Sequence, residues 1–575
     1  MQDLWDLTRR SVIGGEKRLA TPFGQRRLTY ADHTASGRGV TFIEDSVLEV
    51  LETYGNTHTE DDATGTITSE QLRLAEQTIK GLVNAGPRHR IITVGSGTTG
   101  AVHQLQQILG IYVPPAGKDL FRTLLRQRFS AGEAEELELW MSGKRPVVFV
   151  GPFEHHSNEV SWRECFAEVV EIELTGSGLL DLDDLAGKLQ RPGYSGRRKI
   201  GAFSAASNVT GVKTPVYEVA RILHAHQALA LFDFAAAAPY ERIDMNRDKD
   251  SFFDAVYFSP HKFLGGPGSC GILIIHDGIY RSDLPPTVGA GGTVEFVNFA
   301  GQAYIPDIEA REKAGTPGIL QTLRAALAME LKEKLGPERI AAREEALARS
   351  AHGMLSGIPG IELMGNAATD QRLPIFSFTI RVGSSYLHPR FVTVLLNDLF
   401  GIQSRAGCSC AAPYGHRLLH IDQPTSRRLE RTIMRGNIGL KPGWTRVNFH
   451  FLHTDAEAEF ICAAIRFVAE HGTDFLPLYT FDIRTGAWRH NERSPEAVSF
   501  GLDSALGGPF AGGPRNDRPQ DGAPEAPVME PSDQATLFDS YLAEAERLAQ
   551  SLRKRFSGRK LSTTERDLIP FLYSS

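Results

Sequence analysis

The sequence predicts an α/β protein with a large domain built on a central, mostly parallel sheet, followed by a smaller C-terminal α/β domain. Three observations carry this. From about residue 70, short β-rich runs (IITVG, PVVFVGP, KIGAFSAAS, ALALFDFA, AVYFSP, GILIIHD) alternate with amphipathic stretches such as SEQLRLAEQTIKGLVNA and YEVARILHAHQ, the pattern of strands joined by crossover helices. After GTPGIL, the helical QTLRAALAMELKEKLG and AAREEALARSAHGML give way to FSFTIRV, FVTVLLNDLF and TRVNFHFL, which reads as a second domain. A length of 575 residues with 41% apolar content also exceeds the usual single domain of roughly 100 to 200 residues.

The elements fall in order. Residues 1–27 form an N-terminal segment, 28–320 the large domain and 321–484 the small one. Residues 485–533, which include GLDSALGGPFAGGPRNDRPQDGAPEAPVMEPSD, are rich in Gly, Pro and Asp and lack apolar periodicity, so they are expected to be a disordered linker. Residues 534–575 form a helical tail, with Phe538, Tyr541, Leu542, Ala545, Leu548 and Leu552 at helical spacing, Asp533 as N-cap and Gly558 past the end. A lone helix is marginal in water, so this one is expected to dock on the body or on a partner.

Composition excludes several classes. A formal charge of -7 is mild for this length and provides no global basic field for nucleic acid. Five cysteines, an odd number in a long chain, do not make the disulfide framework of a secreted protein. The start, MQDLWDLTRRSVIGGEKR, lacks the apolar core of a signal peptide, and no stretch approaches the ~18 apolar residues of a membrane span. A cytoplasmic, soluble chain with no membrane partner is expected.

The chemistry concentrates at strand ends, where ligands gather in such sheets. In DAVYFSPHKFLGGPGSCGILII, Lys262 follows an apolar strand and precedes a glycine-rich return. A lysine among apolar neighbours has a lowered pKa and suits Schiff-base chemistry with an aldehyde. That points to pyridoxal 5'-phosphate, which needs such a lysine, an acid on its ring nitrogen and a phosphate cradle. Asp233 ends the apolar strand of ALALFDFAAAAPY; a buried carboxylate there requires a cationic partner, and a protonated pyridine supplies one. TVGSGTTGAVHQL leaves a strand into a helix through Gly95, Ser96, Gly97, Thr98 and Thr99, bringing amides and hydroxyls to a positive helix end. It has neither dinucleotide-loop spacing nor a P-loop lysine. RAGCSCAAPYG holds Cys408 and Cys410, for which local sequence leaves open a disulfide, a packing residue and a reactive thiol. A metal site is disfavoured, because it needs about four ligands and His416 and His420 stand in no usual order.

Over roughly residues 28 to 475 the chain resembles the class V (fold type I) aminotransferases, and within them the cysteine desulfurases, in the group with selenocysteine lyase-like enzymes. SPHK is similar to the family's Ser-x-His-Lys. The resemblance therefore implies that Lys262 bonds the cofactor aldehyde and that Ser259 and His261 hold phosphate. GPFEHHSNEVSW resembles Glu-His-His-x-Asn, implying that His155 stacks on the ring, with His156 as the alternative. SAASNVTGVKTPV implies Asn208 at the cofactor's phenolic side, and KAGTPGIL implies that Thr316 reaches the other subunit of a homodimer. RAGCSC matches Arg-x-Gly-x-x-Cys through Arg405, Gly407 and Cys410, making Cys410 the implied nucleophile, and GWTRVNFHFLHT makes Arg446 the implied substrate-carboxylate ligand, a task that suits a planar fork. The implied activity is conversion of L-cysteine to L-alanine with a persulfide on Cys410 and a sulfur-acceptor protein as a further partner. The chain departs from the family at Ala236, where Gln is usual, and at Cys408, read as a space-filling residue. These departures keep a second reading in view: another class V reaction, such as C–S lysis, transamination or epimerisation, on a different amino acid.

Overall fold

The computed structural model describes residues 3–59, 61–492, 501–502, 531–556, 562–563 and 571–573. Its centre is a seven-stranded sheet in the order His89–Val94, Gly271–His276, Ala255–Phe258, Ala228–Asp233, Lys199–Ser204, Val147–Val150, Glu168–Glu171. Only Gly271–His276 runs antiparallel to its neighbours; the pairings from Ala255–Phe258 to the far edge at Glu168–Glu171 are parallel. Side chains along a strand alternate between faces, and both faces are covered here. Phe149, Phe203, Phe232, Phe258 and Ile274 enter one core, while Val148, Ala202, Leu231, Tyr257 and Leu273 enter the other. Burial on both sides explains why the strands read as unbroken apolar runs.

Residue 320, where the sequence suggests the break between domains, lies in the first turn of helix Ile319–Leu335. Helix Ile319–Leu335 puts Ile319, Leu323, Ala326 and Leu335 into the large core. The chain turns at Gly336 (φ 87°), and Leu347, Ala351 and Leu355 of helix Pro337–Ser356 enter the second core. An apolar helix marks a domain boundary by what it packs on, and that information is not in its own residues. The small body carries an antiparallel sheet of Ile361–Leu363, Ile375–Val382, Trp444–Asn448 and Arg405–Gly407, backed by helices Pro389–Phe400 and Asp455–Phe475.

At the C-terminal side, strands Tyr479–Asp482 and Ala487–His490 form a hairpin. The expected boundary at 484 therefore falls within its turn, and Tyr479 and Trp488 both enter the second core. Most of the expected linker, residues 493–500 and 503–530, lies outside the described residues. Helix Pro531–Arg555 docks on the body: Phe538 stacks on Phe460 with ring centroids 3.9 Å apart, and Tyr541, Ala545, Ala549 and Leu552 join the second core. Buried Arg26 pairs with Glu544 at 2.8 Å and Arg27 with Glu457 at 2.8 Å, tying the N-terminal segment to the same face.

Candidate active site

The C-terminal ends of the sheet strands and the two strands Arg405–Gly407 and Trp444–Asn448 of the small body enclose a cavity of about 400 Å³. Of the residues given a cofactor, substrate or catalytic role from sequence, Thr98, Thr99, His155, Asn208, Asp233, Ser259, His261, Lys262, Cys410 and Arg446 line it. Thr316 is not brought there; it is exposed, and its hydroxyl accepts a hydrogen bond from Asn56 Nδ2 at 3.1 Å.

Strand geometry puts the charged groups in place. Asp233 is the last residue of its strand, 3% exposed, and accepts the Ala235 N–H at 2.8 Å. Burial raises its carboxyl to about 6, against the opposing pull of that N–H and of Lys262. Lys262 closes the turn after strand Ala255–Phe258. Burial lowers its amine to about 8; Asp233 opposes this, while Arg446 and Arg405 add to it. An amine so adjusted spends an appreciable fraction of its time unprotonated near neutral pH, as a nucleophile or base requires. Helix Gly97–Ile108 begins at Ser96, which makes no side-chain capping bond. Thr98 N–H donates to Ser259 Oγ at 2.8 Å, and the two hydroxyls lie 2.8 Å apart. Gly97 sits at φ 58°, where a Cβ would come 2.7 Å from Ser259 Oγ, so the close approach of these two loops requires glycine.

The residues fit pyridoxal phosphate. A buried carboxyl on one wall, an amine on the floor and an uncapped helix start beside paired hydroxyls provide its three requirements. Asn208 Oδ1 and, from a further lining residue, Ser269 Oγ are buried with no hydrogen-bond partner among the described residues, an arrangement that costs free energy unless a ligand satisfies them.

Arg446, 2% exposed, donates to Asp32 Oδ1 and to the Asn208 carbonyl, both at 2.8 Å. It stands opposite Arg405 in the strand register. The loop carrying Cys410 is strained. Gly407, Ser409 and Cys410 have φ of 121°, 49° and 55°, and each non-glycine residue there costs of order 1–3 kcal/mol. Bonds from the large body hold it: His156 N–H donates to the Cys410 carbonyl at 2.8 Å, Ala412 N–H donates to His156 Nε2 at 3.0 Å, and Asn208 Nδ2 donates to the Ser409 carbonyl at 2.7 Å. Cys410 lines the cavity. Cys408 instead packs against the apolar cluster of Phe153, Val209, Tyr414 and Trp444.

The sequence model of the family described as Aminotransferase class-V matches residues 134–457. The chain belongs to the class-V aminotransferase family. Among its class-V relatives, a probable cysteine desulfurase of Halalkalibacterium halodurans is 27% identical over 395 residues, covering 67% of this chain and 84% of that protein. One from Streptomyces coelicolor is 28% identical over 325 residues, covering 56% and 69%. In fold, the chain is similar to the apo cysteine desulfurase of Thermococcus onnurineus NA1, with a TM-score of 0.60 at 21% identity over 77% of this chain and 95% of that one. It is likewise similar to the cysteine desulfurase CsdA of Escherichia coli, at 0.58 and 21% over 82% and 99%. Family membership and fold imply pyridoxal phosphate as the cofactor.

Sequence reasoning passed over the support of this class-V site. Glu154, 2% exposed, accepts the Ser204 N–H at 2.9 Å, Ser204 Oγ at 2.5 Å and Asn158 Nδ2 at 2.7 Å. Asn158 Oδ1 accepts Tyr257 Oη at 2.6 Å and Trp162 Nε1 at 3.1 Å. Burial raises Glu154 to about 8 despite these donors, with Asp233 adding to the rise. Ser204 and Tyr257 are the register partners of Asp233 on its two flanking strands, so the network ties the His155 turn to the strand that ends in Asp233. The signal was present in EHHSNEVSW, where Glu154 and Asn158 flank the histidines. Asp32, in YADHTASG, carried no local signal for its pairing with Arg446.

Proposed function

We propose that this chain is a pyridoxal phosphate-dependent cysteine desulfurase that converts L-cysteine to L-alanine and leaves a persulfide on Cys410. The observation that carries the reading is the convergence of Lys262, Asp233, Arg446 and Cys410 on one cavity, supported by the relatives' names.

When bound, pyridoxal phosphate supplies an aldehyde for condensation with the substrate amine and a protonated ring that accepts electron density from Cα. Asp233 keeps the ring nitrogen protonated, while Thr98, Thr99, Ser259 and His261 hold the phosphate. His155, whose imidazole burial and Lys262 hold neutral by lowering it to about 3, lines the cavity and would face the ring. Arg446 takes the substrate carboxylate, and Asn208 borders it. Lys262 Nζ, at the floor of the cavity, would take up the Cα proton. Cys410 Sγ as thiolate would attack the substrate sulfur; the Cβ–S bond would break with its electron pair left on Cβ, which takes a proton to become the methyl of alanine, and the proton removed from Cα would be returned there.

In this reading the enzyme is a cytoplasmic homodimer in which Thr316 reaches the neighbouring subunit's phosphate, and the persulfide passes to a sulfur-acceptor protein. Product analysis with L-cysteine tests the reaction. Alanine together with a 32 Da-heavier Cys410 peptide, about one sulfur atom, is expected under nucleophilic catalysis. Pyruvate with an unmodified Cys410 would instead establish the lyase alternative, in which Ala236 in place of a side-chain donor marks a different chemistry.

A further inference from the structure

The surface beside the Cys410 loop is basic in an otherwise acidic chain. Residues 411–441 carry six Lys or Arg against two carboxylates, while the whole chain has a formal charge of -7. The cations are ordered. On helix Gln423–Met434 and just past its end, Arg427, Arg431 and Arg435 are spaced four residues apart, along one line of the surface. All three are exposed, and none forms an ion pair among the described residues. Met434, 81% exposed, and Ile438, 44% exposed, stand beside them.

This stripe is joined to the cysteine loop. Helix Ala412–Leu418 begins two residues after Cys410. His416 on that helix meets Ser426 Oγ through Nε2 at 3.1 Å, and Ser426 immediately precedes Arg427. At 1.5 Å rise per residue, His416 lies about 6 Å along the helix axis from Ala412, and Arg427 to Arg435 span about 12 Å. Three exposed guanidiniums in a row, with no carboxylate partner among the described residues and only Arg431 Nε bonded, to the Arg427 carbonyl at 3.2 Å, flanked by exposed apolar side chains, form a surface for which an acidic partner is the complement.

We propose that the Arg427–Arg431–Arg435 stripe docks a sulfur acceptor whose thiol sits in an acidic protein surface, and so selects which thiol reaches Cys410. This rests on the reading of Cys410 as the persulfide carrier. In the transfer, the acceptor thiolate attacks the terminal sulfur of the Cys410 persulfide. The bond between that sulfur and Cys410 Sγ breaks, its electron pair returns to Sγ, and a new S–S bond forms on the acceptor, with no net oxidation.

The test uses the cofactor-loaded full chain and two synthetic thiol peptides of equal length, one with its cysteine flanked by glutamates and the other by lysines. The Cys410 persulfide is first quantified by mass spectrometry after exposure to L-cysteine, and its transfer to each peptide is then timed. The glutamate peptide is expected to be sulfurated about tenfold faster or more at low ionic strength, with the preference collapsing in high salt and in the triple variant R427E/R431E/R435E. That variant should keep wild-type alanine formation with dithiothreitol as acceptor. Equal rates for the two peptides on the wild type, or a preference that survives the triple variant, would overturn the docking surface alone. Absence of a persulfide on Cys410 before any peptide is added would overturn the desulfurase reading and the docking surface with it.

Discussion

Arg446 and Asp32 form an ion pair at 2.8 Å at the edge of the cavity, with the arginine 2% and the carboxylate 17% exposed at the side chain. Removing the carboxylate leaves a buried, uncompensated guanidinium. Asp32→Ala is expected to destabilise the fold by about 3 kcal/mol in urea unfolding. Arg446→Lys, which retains charge but loses the fork, should raise the KM for substrate by about tenfold or more while leaving cofactor binding intact.

Lys262→Ala should abolish turnover and covalent retention of the cofactor. Borohydride reduction followed by intact-mass measurement should add the cofactor's mass to the wild type and nothing to the variant. Full activity in the variant would end the cofactor assignment.

Cys410→Ala should bind cofactor and substrate yet form no persulfide, because in the proposed reaction only the sulfur-transfer half uses that thiol. Cys408→Ser should slow the reaction at most about threefold, since its neighbours are Phe153, Val209 and Trp444 and a hydroxyl there costs packing more than chemistry. Persulfide mapping on both variants checks this, and sulfur on Cys408 that persists in Cys410→Ala would reverse the assignment.

The docked tail helix is expected to be part of the core. Phe538→Ala removes a ring that stacks on Phe460 and should cost about 3 kcal/mol, read as a lower denaturant midpoint. Ending the chain before residue 531 should expose Phe460 and its neighbours and cause aggregation.

Stability should also fall in acid. His33 and His450 stack at 4.0 Å, with His453 beside them. Burial holds His33 and His450 well below 6.5 and also lowers His453. Below pH 6.5 the unfolded chain takes up protons that the folded cluster refuses, so stability is lost at up to about 1.4 kcal/mol per pH unit for each histidine. His33→Asn should flatten that slope in a thermal unfolding series from pH 7 to about 5.

The cavity-lining residues were legible where residue type and strand-end position coincide. Lys262 and Asp233 each terminate an apolar run, and Thr98 and Thr99 open a helix after a glycine, all features visible within a dozen residues. Thr316 was legible as a motif but lies outside the cavity of this chain. His156 entered only as an alternative to His155, yet its backbone and ring hold the cysteine loop at Cys410 and Ala412. A histidine in sequence does not show which carbonyl or amide it will meet some 250 positions away.

By itself, the sequence determined the alternation of strands and helices, the strand ends that bear chemistry and the family motifs. All of these depend on apolar period and neighbouring residues, which are local properties. Tertiary structure decided that helix Ile319–Leu335 packs into the large core, that the tail helix covers Phe460, that Asp32 neutralises Arg446 and that Cys410, rather than Cys408, lines the cavity. Each of these turns on burial and on hydrogen-bond or packing partners distant in the chain, and burial is a property that only the assembled core confers.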